Sequence, residues 1–160
     1  MRMPKGIVVY DSNFGNTEKI ARALSYGLEE KGVEIDCLRI EKVDVERLSA
    51  YDFIAVGGPT QILRTSKPMR IFLKKLRTVD LVGKKGFSFD TRYKSRMNGR
   101  HWLLLENSAA RVIEGVLKYK KVKIVRPRCS ALVEGRKGPL HDGMEEMFTQ
   151  MGIEIAESLQ

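Results

Sequence analysis

Short apolar runs alternate with amphipathic helical patterns along almost the whole chain, and no other feature limits the possible folds as much. Lys5–Asp11 reads as a buried strand. Ile20, Ala23, Leu24, Gly27 and Leu28 recur at helical spacing and make one face of a helix that stops at Gly32. Val33–Arg39 alternates as a second strand, and a short helical turn is predicted around Val45–Leu48. Asp52–Gly57 is a third, fully buried strand. Pro68 suits the first turn of a helix carrying Met69, Phe72, Leu73 and Leu76 on one face. Lys85–Asp90 is a fourth strand, and Ser108 caps a helix with Ala109, Val112, Ile113 and Val116 inward. Val122–Val125 is the fifth strand, broken by Pro127 and resumed through Cys129–Glu134. Leu140, Met144, Met147, Phe148, Met151 and Ile155 stripe the last helix. Strands alternating with helices imply an α/β protein with a parallel sheet covered on both faces.

In such sheets ligands bind beyond the carboxyl ends of the strands. Three loops lie there: Asp11–Thr17, Gly58–Lys67 and Thr91–Asn107. The first, Asp11-Ser12-Asn13-Phe14-Gly15-Asn16-Thr17, is a polar turn feeding a helix. Backbone N–H groups and the positive helix end then converge on one point, which suits a phosphate. Ser12, Asn13, Asn16 and Thr17 add side-chain donors; an ordinary capped turn reads the same residues without a ligand. The turn lacks the Gly-Lys-Ser/Thr ending of a nucleoside-triphosphate loop, and no Gly-x-Gly-x-x-Gly follows the strand. The third strand ends in Gly57-Gly58, so it lacks the carboxylate of a phosphoacceptor domain, and the two glycines permit close backbone approach. The third loop runs about 17 residues with no clear element, a length that is usually functional or disordered.

The 160 residues suggest one domain, 1–160, and no run of apolar residues is long enough to span a membrane. Met1-Arg2-Met3-Pro4-Lys5 leads straight into a strand, so no signal peptide is expected and the protein is read as cytoplasmic. Two cysteines, Cys37 and Cys129, make neither a disulfide framework nor a metal site. No Ser-His-Asp set or paired carboxylates can be assigned, so no catalytic residue is proposed. The formal net charge of +9 is uneven: residues 81–138 hold 15 Lys and Arg against 4 Asp and Glu. That balance points to anionic partners or to a surface tuned for solubility. The cations are not interleaved with aromatics as a nucleic-acid stacking platform would be, so nucleic acid is a poor fit.

The chain resembles the flavodoxin-like family of FMN-binding proteins. Tyr10-Asp11-Ser12-Asn13-Phe14-Gly15-Asn16-Thr17-Glu18-Lys19-Ile20-Ala21 is similar to the family's phosphate loop and first helix. Ile54-Ala55-Val56-Gly57-Gly58-Pro59-Thr60 resembles its third strand and second flavin loop, and Asn107-Ser108-Ala109-Ala110 the start of its fourth helix. Small stand-alone bacterial and archaeal members look closer still through Phe89-Asp90-Thr91-Arg92 and Val133-Glu134-Gly135-Arg136-Lys137-Gly138-Pro139-Leu140. The resemblance implies a three-layer sandwich with strand order 2-1-3-4-5 and FMN at the point where that order reverses.

It implies phosphate contacts from Ser12, Asn13, Phe14, Gly15, Asn16 and Thr17. The flavin ring would lie against Pro59, Thr60, Gln61 and Ile62, with Asp90, Thr91, Arg92 and Tyr93 on its other side. Phe14 stands where many flavodoxins carry a hydroxyl. Ile62 and Leu63 stand where a ring-stacking Trp is common, and the basic charge contrasts with the acidic electron carriers. Trp102 could anchor the third loop to the core, and His101 is a lone loop histidine. Two functions follow from the resemblance. One is electron transfer to an acidic redox protein, steered by Arg92, Lys94, Arg96 and Arg100. The other is an FMN oxidoreductase acting on an anionic small-molecule acceptor, of quinone or porphyrinogen type. A flavin-free module binding nucleic acid or an acidic protein is a third reading, motivated by Phe14 and the local charge.

Overall fold

Every strand in the centre of the sheet is apolar on both sides, so each must be covered twice. The computed structural model describes residues 2–61, 64–93 and 108–160, without the side chains of Gln61 and Arg64. Strands β1 (Lys5–Tyr10), β2 (Glu34–Arg39), β3 (Phe53–Gln61), β5 (Lys85–Tyr93) and β6 (Lys123–Ile124) pair in the order β2-β1-β3-β5-β6. All of these pairings are parallel. The two-residue β4 (Arg64–Thr65) folds back antiparallel on β3, and β7 (Cys129–Val133) continues the pairing with β5 beyond β6. Counted as five strands, with β6 and β7 the two halves of the fifth, this is the expected order 2-1-3-4-5.

Alternation along β1 sends Val8 and Tyr10 to one face and Ile7 and Val9 to the other. On the first face lie α1 (Asn16–Glu30) and α4 (Met144–Ser158), packed over Phe53, Phe87, Phe89 and Ala131. On the second lie α2 (Lys67–Leu76) and α3 (Ala109–Tyr119), over Ile54 and Val56. Short 3-10 turns at Ile40–Lys42 and Val45–Ala50 close that layer, the first of them absent from the sequence reading.

The helix faces follow the apolar spacing. Met69, Phe72, Leu73 and Leu76 are the buried residues of α2, and Ser66, not Pro68, caps it by accepting from Met69 N–H at 3.2 Å. Ser108 caps α3 by accepting from Arg111 N–H at 3.1 Å. Two expected core residues are exposed instead: Val112 at 40% and Met147 at 36%. Each helical step turns the side chain by about 100°. The buried face of α3 centres on Ile113 and Leu117, that of α4 on Phe148, Gly152 and Ile155, so both residues fall on a flank. Leu140 lies before α4 and bridges to Val133. The strands also run further than expected: Gly58–Gln61 belongs to β3 and Thr91–Tyr93 to β5, because parallel pairing continues through Pro59↔Thr91.

The α1–α4 contact leaves no room for side chains at two glycines. A Cβ on Gly152 would stand 2.3 Å from Leu24 O, and one on Gly27 would stand 2.0 Å from Thr149 O. Gly115, inside α3, faces open space. One substitution therefore has opposite signs at two helical positions. Gly152→Ala should destabilise by about 1–3 kcal/mol through overpacking. Gly115→Ala should stabilise by about 0.5–1 kcal/mol through helix propensity. Chemical denaturation of the two variants checks both; equal effects would contradict this packing.

Candidate functional site

The turn between β1 and α1 is built to leave donors free. Gly15 takes φ +90, a conformation that favours glycine, and serves as the N-cap of α1 with no side-chain cap bond. The first N–H groups of a helix have no intrahelical acceptor, so they remain available to a ligand. Ser12 Oγ accepts from Gly15 N–H at 3.0 Å and closes the turn, leaving its hydroxyl proton to donate. Arg39 holds the turn from β2, donating Nη2–H to Ser12 O at 2.8 Å. Asp11, buried, accepts from the hydroxyl of Ser66, and its N–H donates to Gly57 O at 3.0 Å. The same turn is thus tied to α2 and β3.

A cleft of about 460 Å³ opens from this turn. Ser12, Asn13, Phe14, Asn16 and Thr17 form one wall, Pro59 and Thr60 a second, and Thr91, Arg92 and Tyr93 a third. The volume falls in the ordinary range for cofactor pockets. The walls are joined below by buried polar contacts. Thr17 Oγ1 and Thr91 Oγ1 lie 3.0 Å apart, linking α1 to β5. Thr60 Oγ1 donates to Asp90 Oδ2 at 2.8 Å and accepts from Ala109 N–H at 2.9 Å. Ala110 N–H donates to the same Asp90 oxygen at 3.2 Å. Asp90 is fully buried, and burial raises its pKa above the usual carboxylate value; the nearby Ser130 hydroxyl, hydrogen bonds from Thr60 and Ala110 and the Arg92 charge oppose the shift.

Of the residues expected at the site, the cleft brings together Ser12, Asn13, Phe14, Asn16, Thr17, Pro59, Thr60, Thr91, Arg92 and Tyr93. Gly15 shapes the turn from the side, and Asp90 lies beneath the wall rather than in it. Ile62, Leu63, Lys94, Arg96, Arg100, His101 and Trp102 lie outside the described residues, as does the side chain of Gln61. Arg92 is not a rim charge: it is 4% exposed on β5. The glycines of the second loop serve packing. A Cβ on Gly57 would stand 2.1 Å from the Phe89 ring, so this glycine makes room for a core phenylalanine.

Two lining residues were missed, Val133 and Arg136. Val133 ends β7 and Arg136 follows in the next segment, and together they form a fourth wall. Glu134 N–H donates to Pro139 O at 2.9 Å and Gly138 N–H to Gly135 O at 3.1 Å. The segment presses on the first turn, where a Cβ on Gly138 would stand 2.9 Å from Asn16 Oδ1. Arg136 and Lys137 each carry their charge 5.9 Å from the centre of the Phe14 ring, close enough for cation–π attraction. The signal was the run Val133–Leu140 already singled out, with Arg136 and Lys137 beside two glycines.

The sequence model of the flavodoxin family matches residues 8–62, which span β1, the first turn, α1, β2 and β3. The probable flavodoxin 1 of Bacillus subtilis is 38% identical over 58 residues, 36% of this chain and 37% of that protein. A solved flavodoxin from the domain Archaea superimposes with a TM-score of 0.80 at 27% identity, covering 97% of this chain and 98% of the other. The chain has the flavodoxin-like fold. Flavodoxins bind FMN and carry electrons. An NAD(P)H dehydrogenase (quinone) of Cupriavidus metallidurans is also similar, 34% identical over 91 residues, 44% of this chain and 46% of that protein. The matched stretches thus span less than half the length of both of these curated relatives. Among the described residues of this flavodoxin-like chain, no helix is long and apolar enough to cross a membrane and no group of side chains could hold a metal ion.

The donors fit FMN's phosphate: an uncapped helix N-terminus, two hydroxyls and two amides meet at one end of a cleft long enough to continue between β3 and β5. Asp90 supplies a separate test of the site's floor. Its folded pKa is raised, so the native state binds a proton that the unfolded state releases, and stability falls as pH rises through that window. Asp90→Asn keeps the shape and cannot ionise. It should gain stability relative to the parent as pH rises from about 4 towards 7. Urea titrations across that range check the sign; a variant that loses ground would contradict a raised Asp90 pKa.

Proposed function

We propose that this chain binds FMN non-covalently in the cleft and transfers electrons. The observation that carries the reading is the uncapped start of α1 opening into a cleft continuous with the ends of β3 and β5. Ser12, Asn13, Gly15, Asn16 and Thr17 hold the phosphate through backbone N–H groups, hydroxyls and amides. Phe14, flanked by Arg136 and Lys137, covers that end and brings two positive charges near it. Pro59 to Gln61 lines one side of the flavin ring, and Thr91, Arg92 and Tyr93 line the other. Thr60, fixed between Asp90 and Ala109, keeps the ring-side wall at constant width. When bound, FMN supplies the electron-accepting chemistry; the protein excludes water and sets the charge around it. The chain works as one domain in the cytoplasm, and its basic surface favours an acidic redox protein as partner.

The likeness to a quinone dehydrogenase over 44% of the chain favours a second reading, an FMN oxidoreductase acting directly on a small molecule such as a quinone. Turnover separates the two: an electron carrier is idle with NAD(P)H and quinone until a protein donor is added, whereas an oxidoreductase turns over alone.

The purified protein should be yellow, or become so on adding FMN, with the extracted chromophore identified as FMN. A protein that is colourless and takes up no FMN contradicts the proposal. Ser12→Ala combined with Thr17→Ala should weaken FMN binding by about 2–4 kcal/mol, since each change removes a hydrogen bond to a charged group. Quenching of flavin fluorescence measures this. A double variant that binds as tightly as the parent would place the phosphate elsewhere.

A further inference from the structure

The opposite end of the molecule carries a second charged surface that a flavin site does not use. Nine residues of β5 separate Lys85 from Tyr93, so this pole lies about 26 Å from the cleft. Two segments meet there, Lys74–Lys85 and Lys118–Lys123. They hold Lys74, Lys75, Arg77, Lys84, Lys85, Lys118, Lys120, Lys121 and Lys123 against a single acid, Asp80. Backbone contacts make them one surface: Gly83 N–H donates to Lys121 O at 3.2 Å and Lys123 N–H to Lys84 O at 2.7 Å. Lys120 Nζ reaches Arg77 O at 3.0 Å. Asp80 is occupied locally, accepting from Val82 N–H at 3.0 Å.

Helix geometry explains only part of this charge. Lys74, Lys75 and Lys118 sit in last turns, where a cation offsets the helix dipole. Arg77 and Lys120 occupy the C-caps of the same two helices, whereas Lys84, Lys85 and Lys123 have no such role. Lys121 takes φ +65 just beyond α3, a position where glycine is favoured. Charge is kept there against backbone preference. Two apolar groups stand out among the cations, Val82 at 67% exposure and Tyr119 at 71%.

We propose that this pole docks on an anionic lipid surface and holds the cleft facing away from it. Two features of the pole favour a bilayer over nucleic acid. First, α2 and α3 bring their carbonyl ends here, so no helix N–H donors are offered to individual phosphates. Second, Arg77 stands over one face of the Tyr119 ring, 5.8 Å from its centre, and among the described residues no other ring stacks with it as a platform for bases would need. A lysine cluster with a few protruding apolar side chains needs only a diffuse negative field and a soft interface, as an anionic bilayer provides. This inference does not depend on the flavin reading.

The test is sedimentation of the purified full chain with vesicles of phosphatidylcholine alone or mixed with phosphatidylglycerol, in about 0.1 M salt, where charges beyond about 10 Å are screened. Binding is expected only to the mixed vesicles. Lys75→Glu with Lys123→Glu should weaken it about tenfold or more. Lys19→Glu with Arg22→Glu, the same change in net charge on α1 across the sheet, should weaken it less than about threefold. Lys121→Gly relieves the backbone and should raise thermal stability while lowering vesicle binding. Equal losses from both charge reversals, binding to neutral vesicles, or tight binding of duplex DNA without vesicle binding would overturn the proposal. So would Lys121→Gly with stability raised and vesicle binding unchanged.

Discussion

The parallel pairing of β1, β3 and β5 is the constraint from which the rest follows. Those strands are apolar on both faces, so helices must cover both sides, and parallel strands place all their carboxyl ends at one edge. Everything in the candidate site is a consequence of that edge. The first turn, the end of β3 and the end of β5 become neighbours although they lie some 40 residues apart in sequence. The helices then run back against the strands, so the N-terminus of α1 points its donors at the same place.

Buried polar contacts stiffen that edge. Asp11 joins the first turn to the cap of α2, and Thr60 and Asp90 join the end of β3 to the start of α3. Thr17 and Thr91 join α1 to β5. Each is a buried polar contact, and a buried polar group is costly unless paired, so the walls are held in one arrangement before any ligand arrives. Phe14 remains exposed and is the adaptable part, with Arg136 and Lys137 beside it.

The fold and most of the cleft were legible because they rest on local signals. Apolar spacing identified four helices and every strand except the two-residue β4, and the Ser-Asn-Phe-Gly-Asn-Thr turn marked one wall of the cleft. Four things were not legible. Continuation of β3 and β5 past Gly58 and Asp90 depends on their pairing with each other, which neither segment shows alone. The role of Gly57 depends on Phe89, 32 positions away, whose ring fills the missing side chain. Arg92 sits in a basic stretch and so read as a rim charge, but β5 is a central strand covered on both faces and buries it. Arg136 joined the site only because the Gly135–Pro139 segment folds back on Asn16.

The central claim is that the β1–α1 turn holds a phosphate, and comparison of FMN with riboflavin tests it most directly. The two differ only in that group. Titration of the flavin-free protein, followed by fluorescence quenching, should show FMN binding about a hundredfold or more tighter than riboflavin, as two charge-assisted hydrogen bonds alone would give. Equal affinity for the two flavins would contradict the account.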